Sequence, residues 1–447
     1  MQRFTFSCLV LVAAFGFVVA DEPANEPRPV PLTRPEMKKL LEDMKDRKPR
    51  IPRPELTEEE RARLRASGRG PGGGIFWVGR ENDPNISLDN TFKTKLFWIV
   101  SRANNCQYCL GHQEVKLAVA GVTEDEIASL DGDWAEFTAP QRAAFAFARK
   151  LSYEPHRISD SDIAGLRAHY TDLQILEMIL SIAGNNAINR SHEGRGNPQS
   201  RDLSNFAQRA EKPVDPQRVL PTKTFLTPTS EKYQNLVSKV APLSIDEATG
   251  KPSTRAINRR PPLEPRDSVE KALAECRQRL PRLPLVDEAK TRELLPMEWG
   301  NQPVSQWERL LANFPKAGIG RILAGKDAEE KNELSPLLKA QVSWIIARQD
   351  RAWYAVAEAK NRLHQLGWTD DQIYKLDGDW SEFSPKERAL FTFARNLAAS
   401  PVVLTDLQAE EAVKLAGTKD VGQLISYVTN RASFDRITEA AGLRADK

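Results

Sequence analysis

Leu130–Phe137 reads LDGDWAEF, and Leu376–Phe383 reads LDGDWSEF at an offset of 246 residues. Carried outward without a gap, Ile99–Pro155 against Ile345–Pro401 gives 23 identities in 57 positions, among them Gly121/Gly367, Arg142/Arg388, Phe145/Phe391 and Arg149/Arg395. Self-similarity at one constant offset marks a duplicated structural unit. The same offset pairs Ile179 with Ile425 and Arg190 with Arg436, so each copy runs well past 100 residues. Two domains of one fold are expected.

The period inside each copy is helical. Apolar positions in FKTKLFWIVSRA (Phe92–Ala103), QRAAFAFARKL (Gln141–Leu151) and LQILEMILSIAG (Leu173–Gly184) recur at three and four residues, and strand-like alternation is scarce. Thr123 before a run of acids, Ser159-Asp160 and Ser384-Pro385 are helix starts. The expected fold class is all-α, two helical bundles in tandem. The repeated Asp-Gly-Asp-Trp falls between helices, where glycine turns the chain and tryptophan packs back on the core.

Around this unit the chain divides as follows. Residues 1–20, MQRFTFSCLVLVAAFGFVVA, place Arg3 before an apolar run and end in small residues, the pattern of a signal peptide cleaved after Ala20. The run is short for a bilayer span, which needs about 20 apolar residues. Cys8 would be lost, leaving Cys106, Cys109 and Cys276 in a secreted or periplasmic protein with no membrane segment. Residues 21–55, rich in proline and charge, read as a mobile leader with a short helix near Glu36–Arg47. The first domain covers 56–198, a proline-punctuated connector 199–265 with one helix near Glu231–Val240, and the second domain 266–447. GRGPGGG at Gly68–Gly74 lacks the Gly-Lys-Ser/Thr ending of a phosphate loop and reads as a flexible loop.

Composition limits the chemistry. With 447 residues, 40% hydrophobic, the chain can bury a substantial core. Sixty-four Lys+Arg against 61 Asp+Glu leave +3, which gives no charge-based reason for a nucleic-acid partner. Four cysteines exclude a disulfide scaffold, and five histidines restrict metal sites.

The stretch that carries reactive groups is Asn104–His112, NNCQYCLGH. At roughly 100° per residue, Cys106, Cys109 and His112 share one helix face. Asn104-Asn105 would break the preceding helix and start a new one, placing both cysteines in its first turns, where free N–H groups and the helix dipole favour a thiolate. His112 could take a proton or pair with that thiolate, and Cys106 could close an internal disulfide. Other readings stay open: plain core packing, or a zinc site of Cys106, Cys109 and His112 with His192 of NRSHEGRGN as fourth ligand. The spacing is not CxxCH, so no haem is attached, and no cofactor is expected. His156, His169 and His364 do not cluster, and Cys276 reads as an inert thiol.

The second copy is an internal control. Cys106, Cys109 and His112 correspond to Ala352, Ala355 and Glu358, while Tyr108 is retained as Tyr354. The three reactive residues are lost together, as a single working unit would be.

NNCQYCLGH, the Gly-Asp-Trp turn, the helix of the form R-A-x-F-x-F-A-R-x-L and the later Asn185–Arg190 stretch resemble the carboxymuconolactone decarboxylase and AhpD-like (alkylhydroperoxidase) superfamily. The resemblance covers about 90–200 with the motif and about 305–445 without it. It implies an all-α bundle that commonly forms homo-oligomers, Cys109 as peroxide-attacking nucleophile, Cys106 as resolving residue and His112 as proton-relay base. It also implies a hydroperoxide or disulfide substrate and a thioredoxin-like reductant. The chain departs from the pattern twice: Phe92–Ala103 holds no relay carboxylate, and His112 follows Cys109 by three residues where the peroxidase has four. The rival functions are a non-redox binding or structural protein, zinc-stabilised or not, and a decarboxylase-like enzyme using His112 as general acid/base.

Overall fold

The computed structural model describes residues 25–52, 58, 83–210, 213–300 and 302–445. The signal-peptide reading of residues 1–20 and the glycine-rich loop at 68–74 lie outside them. The fold is all-α. Among the described residues, α1 (Arg34–Asp43) precedes a first set: α2 (Asn90–Ala103), α3 (Gln107–Val119), α4 (Glu124–Ser129), α5 (Ala139–Tyr153), α6 (Asp160–Arg167) and α7 (Asp172–Arg195). The connector holds α8 (Ser204–Gln208), α9 (Glu231–Gln234) and a two-residue antiparallel pair, β1 (Ser244–Ile245) with β2 (Pro252–Ser253). Then come α10 (Arg266–Cys276), α11 (Glu288–Leu294), α12 (Gln306–Leu311), α13 (Ala317–Glu330), α14 (Pro336–Asp350), α15 (Trp353–Gln365), α16 (Asp370–Tyr374), α17 (Pro385–Ala398) and α18 (Asp406–Ala441). No helix among the described residues is long and apolar enough to cross a membrane.

Helix starts obey the sequence. Capping boxes form at Thr138, Ser159, Thr171, Ser384 and Thr405, each with the third helical residue reaching back to the cap. The offset of 246 holds in backbone detail: α3 and α15 occupy equivalent positions, and left-handed residues recur at Asn105/Arg351, Trp134/Trp380 and Gly196/Gly442. The repeated tryptophans each donate from Nε1 to a carbonyl four residues back, Leu130 and Leu376, at 2.8 Å. Gly417, with φ 85°, kinks α18 where the first copy separates α6 from α7.

The two copies share one apolar core, in which Trp98, Phe145 and Ile179 are continuous with Trp344, Phe391 and Ile425. Across the junction Arg190 of α7 donates to the Ala398 carbonyl (2.8 Å), and Arg436 of α18 donates to the Ser152 carbonyl (3.2 Å). Both donors and both acceptors are 246 residues apart, so the two bonds are one contact seen from either side, as at a two-fold axis.

The segment expected to be a mobile leader is docked, and that expectation is corrected. Met37, Leu41 and Met44 recur at four and three residues on α1 and its terminal turn and are buried, Met37 and Leu41 in the shared core. Arg34 is held by Glu114 and Glu124, both at 2.8 Å. The helix runs Arg34–Asp43 and continues as a 3₁₀ turn to Asp46. Proline and charge hid this apolar stripe. The connector is likewise laid on the core through Leu203, Phe225, Tyr233 and Val240. Its helix stops at Gln234 because further on the backbone bonds elsewhere: Ser238 N donates to Leu32 O (2.9 Å) and Lys239 N to Asp131 O (2.8 Å).

Candidate functional site

The site is built at the junction of α2 and α3. Asn104 closes α2, Asn105 takes the left-handed conformation (φ 57°) that asparagine tolerates, and Cys106 becomes the N-cap of α3. Asn104 Nδ2 donates to Asn186 Oδ1 (2.8 Å) and Asn189 Oδ1 (3.0 Å) on α7. Asn105 Nδ2 donates to the Arg28 and Pro29 carbonyls at 3.2 and 3.1 Å, which brings the leader over the start of α3. The two asparagines therefore fix the turn from opposite sides.

Cys106 and Cys109 are free thiols, 0% and 3% exposed. The two are close enough for Cys109 to act on the titration of Cys106. Burial pushes the Cys106 thiol well above its ordinary pKa, and Cys109 and the carboxylate of Glu193 push it further. Cys109 lies at the third position of α3, inside the first turn whose N–H groups have no intrahelical partner.

Glu193 escaped the sequence reading, which sought a carboxylate upstream of the motif. It stands on α7, buried, with Arg28 Nη1 at 2.9 Å. The available signal was spacing: Asn186, Asn189, Arg190 and Glu193 fall at three- and four-residue steps along α7. Its twin, Glu439, is held by Arg279 (2.9 Å) and accepts from the Tyr354 N–H (3.3 Å). A carboxylate at this position is therefore part of the scaffold as well as a neighbour of the thiols.

His112 and His192 sit beside the dithiol without joining it in a ligand set. His112 Nδ1 faces the Tyr108 carbonyl at 2.8 Å, and Tyr108 lies between the two imidazoles, 4.4 Å from His112 and 4.0 Å from His192 between ring centres. His192 Nδ1 is engaged by Asn197 Nδ2 at 2.7 Å. Burial lowers His112 to about 4 and His192 to about 3, so both rings are neutral at pH 7. Of the two roles open to His112, proton acceptor or imidazolium partner of a thiolate, a neutral ring agrees with the first. Among the described residues no three His, Cys, Asp or Glu side chains are grouped to hold a metal ion, so the zinc set of Cys106, Cys109, His112 and His192 is not assembled. Cys276 is remote, buried on α10 with its sulfur 3.8 Å from the Leu443 carbonyl.

The connector roofs the helix. Gln199 Nε2 donates to the Gln107 and Tyr108 carbonyls, both at 3.2 Å, and Phe206 meets the His112 ring edge-on at 5.7 Å. Gly111 permits this closeness, since a Cβ there would lie 2.1 Å from Gln199 Nε2 and 3.0 Å from the Phe225 ring.

Comparison with known proteins adds nothing to this geometry. No family model and no curated protein matches the chain.

Proposed function

We propose that the first half is an exported thiol-dependent oxidoreductase of the AhpD-like kind, reducing hydroperoxides or disulfides. The observation that carries it is the pair of free, neighbouring thiols at the N-cap and first turn of α3, both buried, with Cys109 the more exposed of the two. The Cys109 sulfur, its proton passed to a base, attacks the terminal oxygen of a hydroperoxide. An S–O bond forms, the O–O bond breaks, and an alcohol leaves after taking a proton. The Cys106 sulfur then attacks the sulfenic acid, an S–S bond forms and water leaves. A thioredoxin-like dithiol outside the cytoplasm returns two electrons and two protons.

Roles follow from the surroundings. A histidine nitrogen facing a carbonyl must carry the proton, so His112 presents Nε2 as an acceptor and is assigned as base for Cys109. Cys106, whose proton burial retains, is assigned as resolving thiol, with Glu193 as the carboxylate that receives that proton. The second copy fills the place of a second subunit, which supports reading the chain as a covalently joined counterpart of a homo-oligomer.

The test is thiol titration and intact mass before and after one equivalent of hydroperoxide, with metal analysis on the same sample. The wild type should lose two thiols and the mass of two hydrogens at Cys106–Cys109, reversibly with dithiol. Cys106→Ser should stop at a sulfenic acid that dimedone traps, and Cys109→Ser should not react. Unreactive thiols with zinc bound would overturn the assignment.

A further inference from the structure

The second copy has lost the thiols but has a cavity in the equivalent place. Glu358, at the position of His112, lines a space of about 400 Å³ between α13, α15 and α18. One wall is aromatic: Trp299, Trp307 and Phe434, with Trp307 and Phe434 packed at 4.7 Å between ring centres.

Its charges do not balance. Glu358 is paired with Arg431 (2.6 Å), Glu329 with Arg362, and Glu308 caps its own helix through the Ser305 N–H (2.8 Å). Arg321, 6% exposed, has no carboxylate partner among the described residues; its hydrogen bonds go to the Leu180 carbonyl (3.3 Å) and the Ser433 hydroxyl (3.0 Å). Burial lowers its pKa only to about 10, so it stays charged at pH 7. Arg431 Nε is also buried without a hydrogen-bond partner. A buried cation without a counter-charge is costly unless a ligand supplies one.

We propose that this cavity is a binding site for a small aromatic carboxylate, its anion against Arg321 and its ring against Trp307 and Phe434. The site is independent of the dithiol chemistry and gives the second half a function of its own. Guanidinium–carboxylate pairing supplies direction, and the aromatic wall supplies apolar burial.

Isothermal titration calorimetry of the whole protein with 1-naphthoate tests it. Saturable binding is expected, with 1-naphthylmethanol, the uncharged analogue, binding at least about tenfold more weakly. Arg321→Gln should weaken 1-naphthoate by a similar factor. Gly325→Leu is the control on folding: a Cβ at Gly325 meets nothing within 4 Å, so the side chain enters the cavity without straining the core. It should abolish binding while melting temperature and hydroperoxide oxidation of Cys106–Cys109 are retained. Absence of binding by the wild type, equal affinity for the alcohol, or undiminished binding by Gly325→Leu would each overturn the proposal.

Discussion

α3 and α15 are one backbone carrying two chemistries. Their N-caps, Cys106 (φ −87°, ψ 95°) and Ala352 (φ −85°, ψ 86°), follow the same left-handed residue, and both helices are 13 residues long. What changes is the enclosure. Around the thiols it is made of neutral amides: Asn104, Asn185, Asn186 and Asn189, tied to one another, to Ser101 and to Ser152. At three of these four positions the second copy carries Asp350, Arg431 and Asp435, at the fourth Ala432, and Glu358 stands in place of His112. The thiols thus lie among neutral amides as well as His112 and Glu193, whereas the copy without thiols places the Arg436–Asp350 and Arg431–Glu358 ion pairs there. The helix geometry therefore belongs to the scaffold, and the chemistry to the residues at and behind the N-cap.

The two junction arginines put that contrast to the largest test. Arg436 is paired in the core with Asp350 at 2.7 Å, while Arg190 bonds only neutral groups, the Ala398 carbonyl and Ser400 hydroxyl among them. Arg436→Met strands a buried carboxylate and should cost about 3–5 kcal/mol in urea unfolding. Arg190→Met removes charge-assisted hydrogen bonds alone and should cost about 1.5–3 kcal/mol. Equal losses would mean that the two sides of the junction are energetically equivalent despite their different charges.

A smaller difference is expected at the αL caps of α7 and α18. Gly196 and Gly442 both have φ 63°, so alanine carries a common penalty of about 1–2 kcal/mol. At Gly196 the new Cβ would also lie 2.6 Å from the Arg50 backbone nitrogen, whereas at Gly442 the nearest atom is the Arg282 side-chain Cγ at 3.0 Å, which can swing away. Gly196→Ala should therefore be the more destabilising by roughly 1 kcal/mol, and should loosen the leader that covers Asn105. The same unfolding experiment checks it, and an equal cost would show that Arg50 is not held firmly there.

The repeat and its helical period were legible in the sequence because they rest on local signals: three- and four-residue spacing, Ser/Thr caps, and glycines needed for positive φ. The helix break at Asn104-Asn105 was legible too, although the new helix is capped by Cys106 itself and only Cys109 lies in its first turn. The docked leader was not, because its relation to the second copy runs at a different offset. Pro31 and Glu264 offer their carbonyls to the equivalent Arg102 and Arg348, and the Arg50 and Arg282 N–H groups bond the equivalent Arg195 and Ala441 carbonyls. These pairs are 233 and 232 residues apart, so a search at 246 passes over them. Glu193 was missed because a carboxylate distant in sequence reaches the thiols only through the packing of α7 on α3. How far His112 is biased toward its neutral form was not legible, since spacing says nothing of the burial and the Lys116 charge that lower its pKa against the opposing pull of the Tyr108 carbonyl.

That neutrality gives the last and smallest contrast. The histidines with burial-lowered pKa, His112 (about 4), His156 (about 4) and His192 (about 3), all belong to the first copy. Between the ordinary histidine pKa of about 6.5 and these folded values, the unfolded chain binds protons that the folded chain refuses, so stability is full above pH 6.5 and falls as pH drops toward 4. Most carboxylates titrate near about 4.5 or below, and Asp377 and Asp435, which burial raises, stay unchanged in the variant below, so the variant isolates the histidine contribution. The rings are half-buried, so the effect is a few degrees in Tm, read by thermal unfolding at pH 7 and pH 5. In the double variant His112→Gln/His192→Gln the difference between the two pH values should shrink to what His156 alone retains. Its burial is followed by the charge of Arg351, 2.9 Å away on the second copy, as the cause of its lowered pKa. An undiminished slope in the double variant would place the acid sensitivity outside the dithiol's enclosure and remove the physical basis for treating His112 as a neutral base.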